Sequence, residues 1–160
     1  MNILQRIVRR FIKISFDFSV STIERFHDME LYKQKVSELR KLDCGTLGKA
    51  IADCLDHHNL TLVPNYESHD LKHVLLDYKM TSEDEIRMQA FMLGNGNYSI
   101  PCFAILIFGA LLLPDLWLTF YKDFKRGMQS VPISSWKIEE HAASDIATLR
   151  LGLCRTSSLL

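Results

Sequence analysis

The side chains of this sequence best suited to bind a metal ion are two histidines four residues apart, together with carboxylates beside and after them. His69 and His73 lie one helical turn apart, so on a helix their imidazoles share one face. Asp70 follows His69 at about 100° around the helix, on the flank of the pair. Glu85 comes after eleven further residues and can fold back, because 78–81 permits a turn. The pattern predicts a divalent-metal site with His69, His73 and Glu85 as ligands and Asp70 as a fourth ligand or as the partner that orients a ligand, with zinc preferred over iron(II).

Two short helices must position these ligands. Ser68 is a suitable N-cap for the helix that carries the histidines. Thr81 caps the next helix, with Asp84 three residues later in the manner of a capping box. Glu85 then falls in the first turn, where the positive end of the helix dipole favours its ionised form.

Three further side chains share the helix face of Glu85. Met88, Gln89 and Met92 follow it by three, four and seven residues. We expect them to line a cavity beside the metal, as part of a substrate tunnel. Methionines at this spacing are equally consistent with an ordinary core.

The other periodic segments are helical, and no segment shows the alternation of a strand. A helix is predicted over 28–42, and Thr46 caps a second one. His57 and His58 end that second helix, where a capping role is favoured over metal binding. A last helix is predicted over 138–153. The side chains expected to face inward from the first two are Leu31, Val36, Leu39, Leu47, Ile51 and Leu55.

The segment 102–113 is almost entirely apolar. Pro114 interrupts it well before the roughly 20 residues that a membrane span requires. We expect a buried central helix, which could also line an apolar channel or touch lipid. The next segment, 116–124, is rich in aromatic residues and has Lys122 and Lys125 beside it, as at a membrane interface or an anionic headgroup.

The first sixteen residues have a basic amphipathic pattern. They include four basic side chains and no acidic one, and their apolar residues recur at helical spacing. Such a helix binds anionic membrane surfaces. A mitochondrial presequence and an ordinary packed helix remain alternatives, whereas the interleaved arginines argue against a secretory signal.

The composition suits one domain that does not bind nucleic acid. The chain has 160 residues, 48% of them hydrophobic, and no net charge. A neutral chain has no bulk attraction for polyanions. The four cysteines are scattered without a C-x-x-C spacing, which argues against a zinc ribbon or a redox motif and favours reduced thiols.

Around its histidine motif the chain resembles the coenzyme Q (ubiquinone) biosynthesis protein 4 family. The hallmark of that family is H-D-x-x-H followed after eleven residues by E, and His69, Asp70, His73 and Glu85 match it. Weaker similarities are the Leu113-Pro114 step, Trp136 and Thr148-Leu149-Arg150. The resemblance covers roughly 42–153. Many members have aromatic residues inside the motif, where this chain has Leu71 and Lys72.

The resemblance implies an all-helical, single-domain protein with a hydrophobic lipid-binding tunnel beside a divalent metal. The segments expected are N-terminal amphipathic and linker helices over 1–41, the family-like domain over 42–153 and a tail over 154–160. The implied activity is that of a lyase, which removes the C1 carboxylate of a prenylated aromatic precursor with hydroxylation there. Asp70 and Glu85 are the candidate catalytic groups. A homodimer on the membrane surface is expected, with other quinone-biosynthesis proteins as partners. It would lie on the cytoplasmic face in a bacterium or the matrix face of the inner mitochondrial membrane in a eukaryote.

Two other classes of protein compete with the metalloenzyme. One is a non-catalytic, lipid-binding scaffold with a structural metal, and the other is an unrelated metal-dependent hydrolase. The hydrolase is disfavoured because HD-type phosphohydrolases need a separate upstream histidine and a distant downstream aspartate, and the H-D-x-x-H…E arrangement of this chain is not theirs. Open metal positions would favour the enzyme, and a closed four-ligand site would favour the scaffold.

Overall fold

Helices make up the architecture of the computed structural model, which describes residues 29–64 and 66–154. Within these ranges no strand forms, and the only extended pairing is at two isolated bridges. The all-α fold predicted from the sequence is confirmed. The basic segment 1–16 and residues 155–160 of the tail lie outside the described residues. In chain order the elements are α1 (Glu30–Arg40), α2 (Leu47–His58), α3 (Glu67–Leu76), α4 (Ser82–Gly94), α5 (Ile100–Leu112), a 3-10 turn (Pro114–Leu116), α6 (Trp117–Met128), α7 (Ile138–His141) and α8 (Ile146–Leu153).

The first two helices pack as their apolar spacing predicts, with one exception. Thr46 caps α2 by accepting a hydrogen bond from the Lys49 amide. Val36 and Leu39 on α1 are buried together with the apolar face of α2. Leu31, predicted to face inward, is 55% exposed. It precedes Val36 by five residues, which places it about 140° around the helix and off the packed face.

The turn between α3 and α4 sets the geometry of the candidate ligands. Thr81 caps α4 as predicted, accepting from the Asp84 amide at 3.2 Å. The predicted Ser68 cap is wrong, because α3 already begins at Glu67 after Tyr66. The His69 amide donates to the Tyr66 carbonyl at 2.8 Å, which starts the first turn before Ser68.

Helices α4 and α6 cross in direct backbone contact at two glycines. A side chain on Gly94 would meet the Phe124 carbonyl, and one on Gly127 would meet the Phe91 carbonyl. Both positions therefore need glycine for the close approach.

A buried carboxylate fixes the register of α4 against its neighbours. Asp123 on α6 accepts from the Tyr78 hydroxyl at 2.9 Å and from Arg87 Nε at 2.8 Å. These bonds tie α6 to the α3–α4 turn and to α4 itself, the helix that carries Glu85.

Helix α5 is not the buried central helix that its composition suggests. Only Cys102 and Gly109 are buried, while Ile100 is 84% and Leu111 72% exposed. It packs on α4 along one narrow line, where the missing side chain of Gly109 makes room for Ile86. Its other faces are left uncovered by the part of the chain that the structure describes.

No single helix within 29–64 and 66–154 has the length and hydropathy to cross a bilayer. Helix α5 and the segment Pro114–Met128 meet that requirement only together, and they are bent by 105°.

Candidate metal centre

Helices α3 and α4 bring three of the four predicted ligands to one point. The Nε2 atoms of His69 and His73 lie 2.9 and 3.0 Å from the same carboxylate oxygen, Glu85 Oε2. One ligand atom from each of the three residues lies within 4.8 Å of the others. His73 and Glu85 are buried, and His69 is partly open to solvent. The site is therefore enclosed on two sides and accessible from the His69 side.

The hydrogen bond of His73 Nδ1 determines which ring nitrogen of this residue is free to bind a metal. Asp77 adopts a left-handed conformation at the end of α3, and the Tyr78 carbonyl lies 3.2 Å from His73 Nδ1. A carbonyl only accepts, so Nδ1 carries the proton, and in the neutral ring Nε2 has the lone pair. That lone pair faces the Glu85 carboxylate, so the two acceptors, 3.0 Å apart, need either a proton or a metal ion between them. Metal-bound histidines characteristically donate their other N–H to such a carbonyl.

The electrostatics of the site also favour a cation. Burial by itself would raise the pKa of the Glu85 carboxyl, but hydrogen bonds and charges of His69 and His73 outweigh it and hold that pKa far below its usual range. Burial would likewise lower the pKa of His69, but Asp70 and Glu85 raise it to about 10. Gln89 donates to the other Glu85 oxygen at 2.8 Å. Glu85 is thus a fixed anion whose partners are all donors or cations.

Asp70 lies on the opposite side of the His69 ring. Its Oδ1 is 3.6 Å from His69 Nδ1, and it is not among the three convergent ligands. This placement favours the orienting role that the sequence allows for Asp70 over direct metal binding. Its Oδ2 is buried and has no hydrogen-bond partner among the described residues. Such an orphaned acceptor costs about 1–3 kcal/mol, which fits a site that needs a cation, a water molecule or a proton to complete it.

The residues predicted to line a tunnel lie in the core beside the site. Met88 and Met92 are fully buried within the main hydrophobic cluster. Gln89 reaches the site through its bond to Glu85. A tunnel beside the metal stays a prediction.

An open apolar groove of about 290 Å³ lies elsewhere, between α4, α5 and α6. Ala90, on its floor, follows Glu85 by five residues and so lies about 140° around α4 from the ligands. The aromatic spacing of 116–124 was its only sequence signal. Its lining residues are Ala90, Leu106, Ala110, Trp117, Phe120, Tyr121 and Phe124.

Two arginines hold the C-terminal end of α3, and pattern reasoning did not assign them this role. Arg150 donates to the carbonyls of Val74 and Leu75 at 2.8 and 3.0 Å. Arg126 donates to the Leu76 carbonyl at 3.2 Å. Cations at a helix C-terminus satisfy its orphan carbonyls and its dipole, so this pair fixes the helix that carries both histidines.

The fold is similar to that of a crystal structure from Nostoc punctiforme, provisionally described as a ubiquinone biosynthesis protein. The two chains superpose with a TM-score of 0.61 and 20% sequence identity, over 88% of this chain and 81% of the other. At this identity the likeness shows a shared fold. No protein-family model matches this chain, and no curated protein does.

Proposed function

We propose that this protein is a metal-dependent enzyme of ubiquinone biosynthesis that removes the C1 carboxylate from a prenylated aromatic precursor, alone or with hydroxylation. The observation that carries the proposal is the convergence of His69, His73 and Glu85, with His73 oriented by the Tyr78 carbonyl. The shared fold with the Nostoc punctiforme protein supports the pathway.

His69, His73 and Glu85 are the residues that would hold the metal. Two histidines and one glutamate are a donor set that zinc uses in catalytic sites, where three protein ligands leave a position open. Iron(II) is the second candidate. A divalent ion bound there supplies an anchor for a carboxylate and a Lewis acid for the negative charge that develops as carbon dioxide leaves.

Asp70 is the better placed of the two candidate proton donors. Glu85 already accepts hydrogen bonds from both histidines and Gln89, whereas Asp70 Oδ2 has no partner among the described residues. When the bond between the ring and its carboxylate breaks, carbon dioxide leaves and a proton must be added to the ring carbon. In this proposal Asp70 delivers that proton, and water restores it.

A prenylated substrate dissolves in lipid, so the protein must meet a bilayer. The uncovered face of α5 is apolar, and Trp117 and Tyr121 follow it, then the exposed Lys122 and Lys125. This order matches the order of the hydrocarbon core, the interface and the anionic headgroups in a membrane. The protein is proposed to lie on the membrane surface through α5 and the start of α6, facing the cytoplasm in a bacterium or the mitochondrial matrix in a eukaryote.

The apolar groove is the proposed seat of the prenyl chain. Aromatic side chains form most of its walls. A homodimer and contacts with other quinone-biosynthesis proteins remain part of the proposal, and native mass spectrometry of the purified protein tests both together with bound isoprenoid.

A lipid-binding scaffold is the second candidate, and one observation favours it. The groove and the metal ligands lie on different faces of α4, with Met88 and Met92 packed in the core on the ligand side. In a scaffold the lipid need not reach the metal, which would then serve only to hold α3 and α4 together.

Complementation of a strain that lacks the pathway protein separates the two candidates. The Asp70→Ala and Glu85→Ala variants should fold but accumulate the carboxylated prenyl precursor if the protein is the enzyme. Full complementation by both variants would replace the enzyme by the scaffold. Elemental analysis of wild type and His73→Ala tests the metal itself, because equal content in both proteins would end that part of the proposal.

A further inference from the structure

Lys72 occupies a position on α3 that mirrors that of Asp70. The helical repeat places it about 80° to one side of the line that bisects His69 and His73, and Asp70 about 80° to the other. The histidine pair is thus flanked on α3 by Asp70 on one side and by Lys72 on the other.

Lys72 differs from the other half-buried lysines in lacking an anionic partner. Lys35 lies 3.1 Å from Glu139, and Lys49 lies 2.7 Å from Asp53. No described residue forms an ion pair or a hydrogen bond with the Lys72 ammonium. A partly buried, unpaired charge costs free energy that an anion bound beside it would recover.

The surroundings place Lys72 on the α4–α5 side of the ligands. Cys102, in the first turn of α5, interacts electrostatically with both Lys72 and Glu85. Its thiol donates to the Gln89 carbonyl at 3.4 Å, and the Gln89 amide donates to Glu85. The buried thiol and the ligand carboxylate are therefore joined through Gln89, and the Lys72 charge acts on the same thiol.

We propose that Lys72 binds the anionic group of the ligand at the metal centre, a carboxylate or a phosphate. This inference rests on the proposed function, in which that ligand is an aromatic carboxylate held at the open metal position. One carboxylate can then contact the metal and the ammonium together, and the charge-assisted bond to Lys72 discriminates against neutral rings of the same shape. Lys72 is a ligand-binding residue in this proposal and takes no part in holding the metal.

Calorimetric titration of the zinc-loaded full chain tests the inference with three probes: 4-hydroxybenzoate, its neutral analogue 4-hydroxybenzamide, and inorganic phosphate. The Lys72→Met variant should weaken binding of 4-hydroxybenzoate by about tenfold, the worth of one charge-assisted hydrogen bond. Lys72→Arg should restore most of that affinity. Binding of the amide, and the zinc content, should be unchanged. Lys79→Met removes an exposed lysine just beyond α3 and should have no effect.

The probes also identify the anion and separate the two proposals. A larger loss for phosphate than for 4-hydroxybenzoate supports Lys72 as the anion-binding residue and identifies the group as a phosphate. Equal affinities of wild type and Lys72→Met for both anions, an equal loss for the neutral amide, or no anion binding by wild type would each overturn the inference. Absence of zinc from wild type overturns the proposed function instead, and the same titrations on metal-free protein then test Lys72 alone.

Discussion

Replacement of Glu85 by glutamine probes the centre with almost no change of shape. In the metal-free protein Glu85 Oε2 accepts two hydrogen bonds from histidines, at 2.9 and 3.0 Å. Hydrogen bonds to a charged acceptor are worth about 1 kcal/mol more than neutral ones, so loss of the charge should cost about 2 kcal/mol. In a domain of this size that corresponds to a fall in Tm of about 4–8 °C.

Thermal unfolding in EDTA measures this cost, and unfolding with excess zinc measures the metal. Wild type should gain further stability as zinc saturates the folded state, whereas Glu85→Gln should gain almost none. Glu38→Gln changes an exposed glutamate on α1 and should behave as wild type. Equal zinc-dependent shifts in wild type and Glu85→Gln would refute the assignment of Glu85 as a ligand.

Three further changes test the rest of the structure. Gly127→Ala should lower the free energy of unfolding by about 1–3 kcal/mol in denaturant titrations, because the added methyl group meets the α4 backbone. The control Gly152→Ala, in α8, places its methyl group in open space and should be neutral or slightly stabilising. Leu111→Glu should abolish flotation with anionic vesicles and leave the Tm unchanged, whereas Leu151→Glu, at an exposed leucine on α8, should leave vesicle binding intact. Unchanged flotation of Leu111→Glu would exclude α5 as the membrane face. Arg150→Ala should lower the free energy of unfolding by about 1–2 kcal/mol and weaken zinc binding, because it leaves two carbonyls at the end of α3 without their donor. Undiminished zinc affinity would show that this cap does not position the histidines.

Local chemistry made the starts of α2 and α4 predictable, whereas the single helix predicted over 138–153 is interrupted between α7 and α8. Thr46 and Thr81 cap their helices because each side chain bonds an amide three residues later, an interaction written into a few neighbouring residues. The prediction that Ser68 caps α3 is wrong because the Tyr66 carbonyl starts the turn earlier, through a backbone hydrogen bond that no residue type predicts.

The environment of α5 was not predictable from its composition. A helix that is apolar on every side has no polar face to show which side meets the core. The close crossing of α4 and α6 at Gly94 and Gly127 leaves α5 only a single line of contact with α4. Exposure is therefore a consequence of how the other helices pack.

The sequence by itself determined that the chain is helical and that two imidazoles share one helical face, because a repeat of 3.6 residues places His69 and His73 together wherever that helix lies. Only the tertiary structure decided the rest of the site. The left-handed turn at Asp77 lets the Tyr78 carbonyl fix the tautomer of His73, and Asp123 sets the register that points Glu85 at both rings. It also placed Asp70 behind His69 and left Lys72 without a partner among the described residues. Contacts between residues far apart in sequence depend on packing, which no local pattern encodes.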